Sequence, residues 1–305
     1  MRCLRHITRR ISIAAALTAR SGGHFRARVL GAMTGLCLLL FPALTSSGQA
    51  TTLVQDGTRP TVDLELVLAV DVSRSMDPEE QLLQQAGYIA AFRNPEVIDA
   101  IQGGPLGRIA VTYFEWAGSA LVREVVPWTV VDGPQSAEAV ALMLAAAEPG
   151  RLSRTSISGA LTEALRQFDR SPYSSPRRVI DVSGDGPNNQ GEPVEWTRDR
   201  VLERGIVING LPVMLRPSYS GFFDISELDI YYEDCVIGGF GAFIVPVQNP
   251  DEFATAIRRK LVLEIAGRTP VAAPRIVPVQ SGGPLAKMDC LIGERLWNQW
   301  FNSME

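Results

Sequence analysis

The sequence predicts a doubly wound α/β domain: a mostly parallel central sheet, one antiparallel edge strand and helices on both faces. Three observations predict it. The run Leu64–Val70 is apolar almost without a break and stops at Asp71. An apolar run of that length, bounded by turn residues, reads as a strand buried on both faces, as in parallel sheets. Strand-like and helix-like stretches then alternate between residues 60 and 267, the pattern of strands joined by crossover helices. Finally, two strand-like runs are joined only by Ala117-Gly118-Ser119. That link is too short for a parallel crossover and suits a hairpin, so one strand is antiparallel and at the edge.

The elements follow in order. Residues 51–60 read as a polar lead-in, and Asp63–Val70 as the first strand. Asp77-Pro78-Glu79-Glu80 opens a helix, with Asp77 as N-cap, Pro78 at the first helical position and acids in the first turn. Leu82, Leu83, Ala86, Ile89 and Ala90 are expected to form its apolar face. Asn94-Pro95 ends it. Arg108–Trp116 and Leu121–Val131 are the hairpin strands; Ser136–Glu148 and Ser158–Asp169 are helical, and Ser171–Pro176 is a loop. Arg178–Val182 is a strand running into the turn-rich SGDGPNNQG, Pro193–Arg204 a helix and Ile206–Leu215 a strand. Arg216–Glu227 reads as loop, Ile230–Val236 as strand or helix, Ala242–Val247 as a strand. Pro250–Ala266 is an amphipathic helix closed by Gly267. The Pro/Gly/Val-rich stretch 268–287 reads as an extended tail. Leu291, Leu296, Trp297, Trp300 and Phe301 mark a short last helix, expected to pack on the domain with Cys290 as its tether, with a membrane or partner role as the alternative.

Residues 1–50 stand apart. They hold seven arginines and no acid, a 16-residue apolar run from Val29 to Leu44, and a small-residue site at Gly48-Gln49-Ala50. This is the pattern of a secretory leader. A retained anchor is the alternative, but the run falls short of the ~20 residues that span a bilayer. Translation from Met33 would leave an apolar leader without its basic front. The expected organisation is a leader over 1–50, a domain over 51–267 and a tail over 268–305, in a protein exported to the periplasm or beyond.

Composition narrows the function. Of 29 basic residues seven lie in the leader; the remaining 22, against 33 acids, give residues 51–305 a charge of −11. Such a chain has no general attraction for nucleic acid or anionic membranes, and does attract cations. Both histidines, His6 and His24, lie in the leader. Without them the mature chain has no Ser-His-Asp or Cys-His catalysis and no imidazole for zinc. Cys235 and Cys290 are then the remaining cysteines, expected to pair in an oxidising compartment.

Three loops carry oxygen donors where α/β sheets bind ligands, beyond the carboxyl ends of strands. Asp71-Val72-Ser73-Arg74-Ser75 follows the first strand. Asp77-Pro78 already caps the next helix, so the two serines are not needed there. Thr155 precedes a helix that Ser156 or Ser158 can cap; an N-cap or loop role is its bland alternative. Asp185, between Gly184 and Gly186, follows a second buried strand, and an Asx turn is its simple explanation. Carboxylates and hydroxyls are hard donors that suit Mg²⁺ or Ca²⁺.

Asp71-x-Ser73-x-Ser75, then Thr155, then Asp185-Gly186, resembles the metal-ion-dependent adhesion site of von Willebrand factor type A domains. The resemblance spans residues 60–267 and is strongest to exported bacterial type A-like proteins of unknown function. It implies a Rossmann-like sheet and a site for Mg²⁺, with Ca²⁺ or Mn²⁺ as alternatives. It also implies that Ser73, Ser75 and Thr155 hold the ion directly, that Asp71 and Asp185 act mainly through water, and that a protein partner's carboxylate completes the shell. The loop Gly103–Gly107 and the tail have no place in that pattern. A binding protein, not an enzyme, is the leading expectation; a metal-dependent hydrolase on the same ion is the runner-up. A third reading is a structural Ca²⁺ loop, since Asp181, Ser183, Asp185, Gly186 and Glu192 fit EF-hand positions 1, 3, 5, 6 and 12. Asn188 at an apolar position and a strand-like approach count against it. The acidic segment Asp224, Glu227, Asp229, Glu233, Asp234 and the run Arg258-Arg259-Lys260 read as solvated faces.

Overall fold

Residues 59–119, 122–215, 225–268 and 287–303 are described by a computed structural model. The expected leader, the lead-in as far as residue 58, Asp224 and most of the Pro/Gly-rich tail lie outside them. Among the described residues no helix is long and apolar enough to cross a membrane.

The apolar run becomes β1 (Glu65–Asp71), and all seven of its residues are buried. It lies at the middle of a five-stranded sheet among the described residues, with β2 (Ile109–Trp116), β3 (Val122–Val131), β4 (Arg178–Gly184) and β5 (Val207–Pro212) in the order β3-β2-β1-β4-β5. β1 is parallel to β2 and to β4, and β4 to β5, while β3 runs antiparallel at the edge. The doubly wound sheet and its hairpin are therefore as expected.

Side-chain alternation along β1 feeds two cores. Leu66, Leu68 and Val70 point to one face, with α1 (Pro78–Phe92), α2 (Pro95–Gln102), α3 (Pro134–Ala146) and α7 (Phe253–Ala266). Val67 and Ala69 point to the other, with α4 (Ile157–Arg170), α5 (Val194–Glu203) and α6 (Leu228–Tyr231). The chain leaves β1 for β2 on one side and later returns to β4 on the other. The crevice between the ends of β1 and β4 is thus a topological switch point.

Several expectations need correction. The buried face of α1 is not Leu82, Leu83, Ala86, Ile89 and Ala90. It is Glu80, Gln81, Gln84, Gly87, Tyr88, Ala91 and Phe92, and Leu82 is 55% exposed. The glutamines are drawn inward because Gln84 Nε2 donates to the Asp71 carbonyl (3.2 Å) and Gln81 Nε2 to the Ser73 carbonyl (3.3 Å). Asn94-Pro95 does end α1, but Asn94 also caps the unforeseen α2 by accepting from the Glu96 N–H. Ile230–Val236 resolves to α6 and a π-helical turn over Tyr232–Val236.

Ala242–Val247 is not a regular strand. It touches β5 and its extension through isolated bridges, Gly210 to Ile244 and Val213 to Val247. Pro246 and Pro212 have no N–H to offer a continuous ladder. Lys260 is not on a solvated face either. It is buried under the sheet, 2.6 Å from Asp181 and paired with Glu264, while Asn209 Nδ2 donates to Glu264 Oε1 at 3.0 Å.

Candidate metal centre

Asp71 is the last residue of β1, and it is completely buried. Its Oδ1 accepts the Ser73 N–H at 2.7 Å, which turns the chain sharply off the strand. The turn sets the two serine hydroxyls in line. Ser73 Oγ lies 2.7 Å from Ser75 Oγ, and Ser75 Oγ donates to Asp185 Oδ1 at 2.7 Å. Asp185 follows directly on the end of β4, so the first and third loops meet across the switch point.

The second loop is stitched to both. The Leu152 N–H donates to the Val72 carbonyl at 3.0 Å. The Thr155 N–H donates to Asn189 Oδ1, and the Asn189 N–H to the Thr155 carbonyl, both at 2.9 Å. Ser156 caps α4 by accepting from the Gly159 N–H, so the cap is indeed one residue beyond Thr155. Ser73, Ser75, Thr155 and Asp185 line one cavity of about 280 Å³, with Arg154 and Trp297 at its side. Four of the five expected residues share that cavity, and Asp71 lies behind it.

The electrostatics are unfavourable as they stand. Asp71 Oδ2 is buried and has no hydrogen-bond partner. Burial, and then the charge of Asp185, push the Asp71 carboxyl well above the usual carboxylate range, against the pull of the Ser73 amide and hydroxyl and of the Asp185 amide. A buried acid with an empty oxygen, a second acid nearby and a chain of hydroxyls is a donor set that suits a hard divalent cation. Among the described residues no three His, Cys, Asp or Glu side chains gather in one place; the set is two carboxylates and three hydroxyls.

The EF-hand arrangement does not form. Asp181 faces Lys260 beneath the sheet, whereas Glu192 accepts from Thr197 and Arg200 on the far side of the loop. Sequence reasoning also missed residues that build the site. Asn188, buried, accepts the Ser158 N–H and donates to Glu294 (2.7 Å). Arg154 and Trp297 come together from distant segments, and no sequence spacing signals that pair.

No curated protein sequence matches the chain. Solved structures resembling it include proximal thread matrix protein 1 from the mussel byssus, at 14% identity and a TM-score of 0.49, covering 68% of this chain and 49% of that one. Another is a von Willebrand factor type A protein from Catenulispora acidiphila, at 15% identity and a TM-score of 0.45, covering 67% and 43%. A third is the open conformation of a pilus adhesin from Lactobacillus rhamnosus GG, at 12% identity and a TM-score of 0.48, covering 68% and 31%. The chain therefore spans half or less of the length of these three proteins. A form of the mussel protein is described with a zinc-occupied adhesion-site motif. Residues 61–269 match the family model described as protein of unknown function (DUF1194), and the chain belongs to that family.

Proposed function

We propose that this chain is an exported, non-enzymatic binding protein that holds a divalent cation and uses it to take an acidic group of a protein partner. The ion is Mg²⁺, with Ca²⁺ or Mn²⁺ as alternatives. Ser73, Ser75 and Thr155 would hold it directly, with Asp71 and Asp185 acting mainly through water. The observation that carries this reading is the buried, unpartnered Asp71 Oδ2 behind a row of hydroxyls that ends at Asp185.

Neutral hydroxyls leave much of an ion's charge in place, and acids held behind water offset it only in part. Such an ion attracts an external carboxylate. Export is supported by the Cys235–Cys290 disulfide, a bond that persists in oxidising compartments, and by the leader pattern of residues 1–50.

Calorimetric titration with Mg²⁺ and Mn²⁺ tests the reading. The wild-type protein is expected to take up one ion and Asp71→Ala none. Pull-down from the exported fraction should recover a partner with Mg²⁺ and lose it with chelator. A wild-type protein that takes up none of Mg²⁺, Mn²⁺ or Ca²⁺ would overturn it.

A further inference from the structure

The described chain ends in α8 (Ile292–Asn302), beyond the sheet and its helices in sequence. It is fastened beside the candidate metal centre at several points. Cys290, just before it, is bridged to Cys235 in the π-helical turn. Glu294 accepts from Asn188, on the same loop as Asp185. Gly293 sits so close to that loop that a Cβ there would collide with the Asn188 carbonyl oxygen. These contacts place Trp297 in the side of the cavity.

Arg154, immediately before Thr155, stacks on it. Its guanidinium carbon is 3.6 Å from the Trp297 ring centroid. Arg154 has φ 73°, a left-handed conformation that among the described residues no other non-glycine adopts. Such conformations persist where surrounding contacts enforce them, and they cluster at functional sites. Stacking uses the face of a guanidinium and leaves its edge of N–H donors available. Among the described residues no carboxylate pairs with Arg154.

We infer that α8 is a fixed wall of the binding site and that Arg154, held on Trp297, recognises the anionic group of the ligand beside the cation. The ligand class is a carboxylate, with one oxygen for the ion and the other for the guanidinium edge. This rests on the cation reading of the same cavity. A covalent bridge and a close carbonyl contact mark α8 as built-in wall rather than as a cover that must leave.

Mn²⁺ and glutarate are the probes. Mn²⁺ affinity is measured by calorimetry. Glutarate affinity is then read from the fall in water-proton relaxation as the carboxylate displaces water from the bound ion. Arg154→Ala, its neutral near-isostere Arg154→Gln and Trp297→Ala should bind Mn²⁺ within about twofold of wild type and glutarate roughly tenfold more weakly. Arg154→Lys should recover only part, because it keeps the charge and loses the planar fork. Equal glutarate affinity in wild type and in both neutral Arg154 variants would overturn the inference and leave the cation reading standing. Tighter glutarate binding in Trp297→Ala would do the same, making α8 a cover. Lost Mn²⁺ binding in the Arg154 variants would assign that residue to holding the metal loop, against the inference. A wild type that binds none of Mn²⁺, Mg²⁺ and Ca²⁺ removes both readings together.

Discussion

Asp71 is held against its own chemistry: a carboxylate with no exposure, one oxygen without a partner, and a second acid close by. Without an ion that arrangement costs stability. Asp71→Asn removes the charge and supplies a donor, so the metal-free variant should be more stable than wild type by about 1–3 kcal/mol. It should also lose the stabilisation by Mg²⁺, which for wild type is about 2.7 kcal/mol at a hundredfold excess over Kd. Scanning calorimetry with and without Mg²⁺ measures both. A metal-free variant less stable than wild type would mean that Oδ2 is already satisfied. A second buried acid has a different consequence. Burial, and then the charge of Asp181, raise the Glu264 carboxyl to about 7 from an ordinary 4.5. The folded state then holds this proton more tightly than the unfolded state does. Its contribution is complete below the ordinary value and is lost as pH rises through about 7. Between pH ~5 and ~8 wild type should lose roughly 1–3 kcal/mol relative to Glu264→Gln, read from urea unfolding midpoints. Parallel pH profiles for the two proteins would show that Glu264 stays ionised.

At the scale of elements, what could be read from the sequence was whatever local pattern decides. β1 and β4 were legible because strands buried on both faces are apolar nearly throughout, and the β2–β3 hairpin because its link is short. The helix start at Asp77-Pro78 was legible because capping is local: Asp77 Oδ1 accepts the Glu80 N–H, and Glu80 Oε2 accepts the Asp77 N–H. The five proposed site residues stood out for a related reason, since each lies beside a strand end or a helix start. The face of α1 was not. Gln81 and Gln84 are turned inward by carbonyls at the end of β1, a demand set by tertiary position. Lys260 looked like a surface residue because its partner Asp181 lies in another element, on the face of β4 that α7 covers. The π-helical turn Tyr232–Val236 was likewise invisible, yet it sets Tyr232 against β5 and beneath the site. A Cβ at Gly210 would lie 2.6 Å from Tyr232 Cδ1, and one at Gly184 would lie 3.0 Å from the Tyr232 hydroxyl and 2.9 Å from Asp71 Oδ2. Gly210→Ala should therefore force the buried ring to shift and cost about 1–3 kcal/mol by denaturant unfolding. A neutral result would show that the turn yields easily.

Across the whole molecule, the sheet brings three loops to the switch point, and the disulfide brings a fourth segment to them from the far end of the chain. That segment contributes little core of its own. Within α8 only Gly293 is fully buried, and Phe301 is 50% exposed. Its other ties among the described residues include Asn188 to Glu294, Arg154 on Trp297, the Met288 N–H to Asp234 Oδ2 at 2.8 Å, and Lys287 to Glu195 at 3.0 Å. Exposed ion pairs of the last kind contribute roughly 0–1 kcal/mol. The bridge, by contrast, closes 55 residues of chain and stabilises by about 2–4 kcal/mol in the loop-entropy account. Removing it should release α8 well before it unfolds the sheet, because the two cores on either face of β1 contain no side chain of α8 beyond a partly buried Ile292. In the double variant Cys235→Ser/Cys290→Ser, amide hydrogen exchange should rise steeply in peptides from 287–303, while β1 and β4 keep their protection. The loop from Asp185 to Asn189 should respond with α8, because Asn188 loses Glu294. If protection in β1 fell together with that in α8, the last helix would belong to the cooperative core rather than to a wall added at the site.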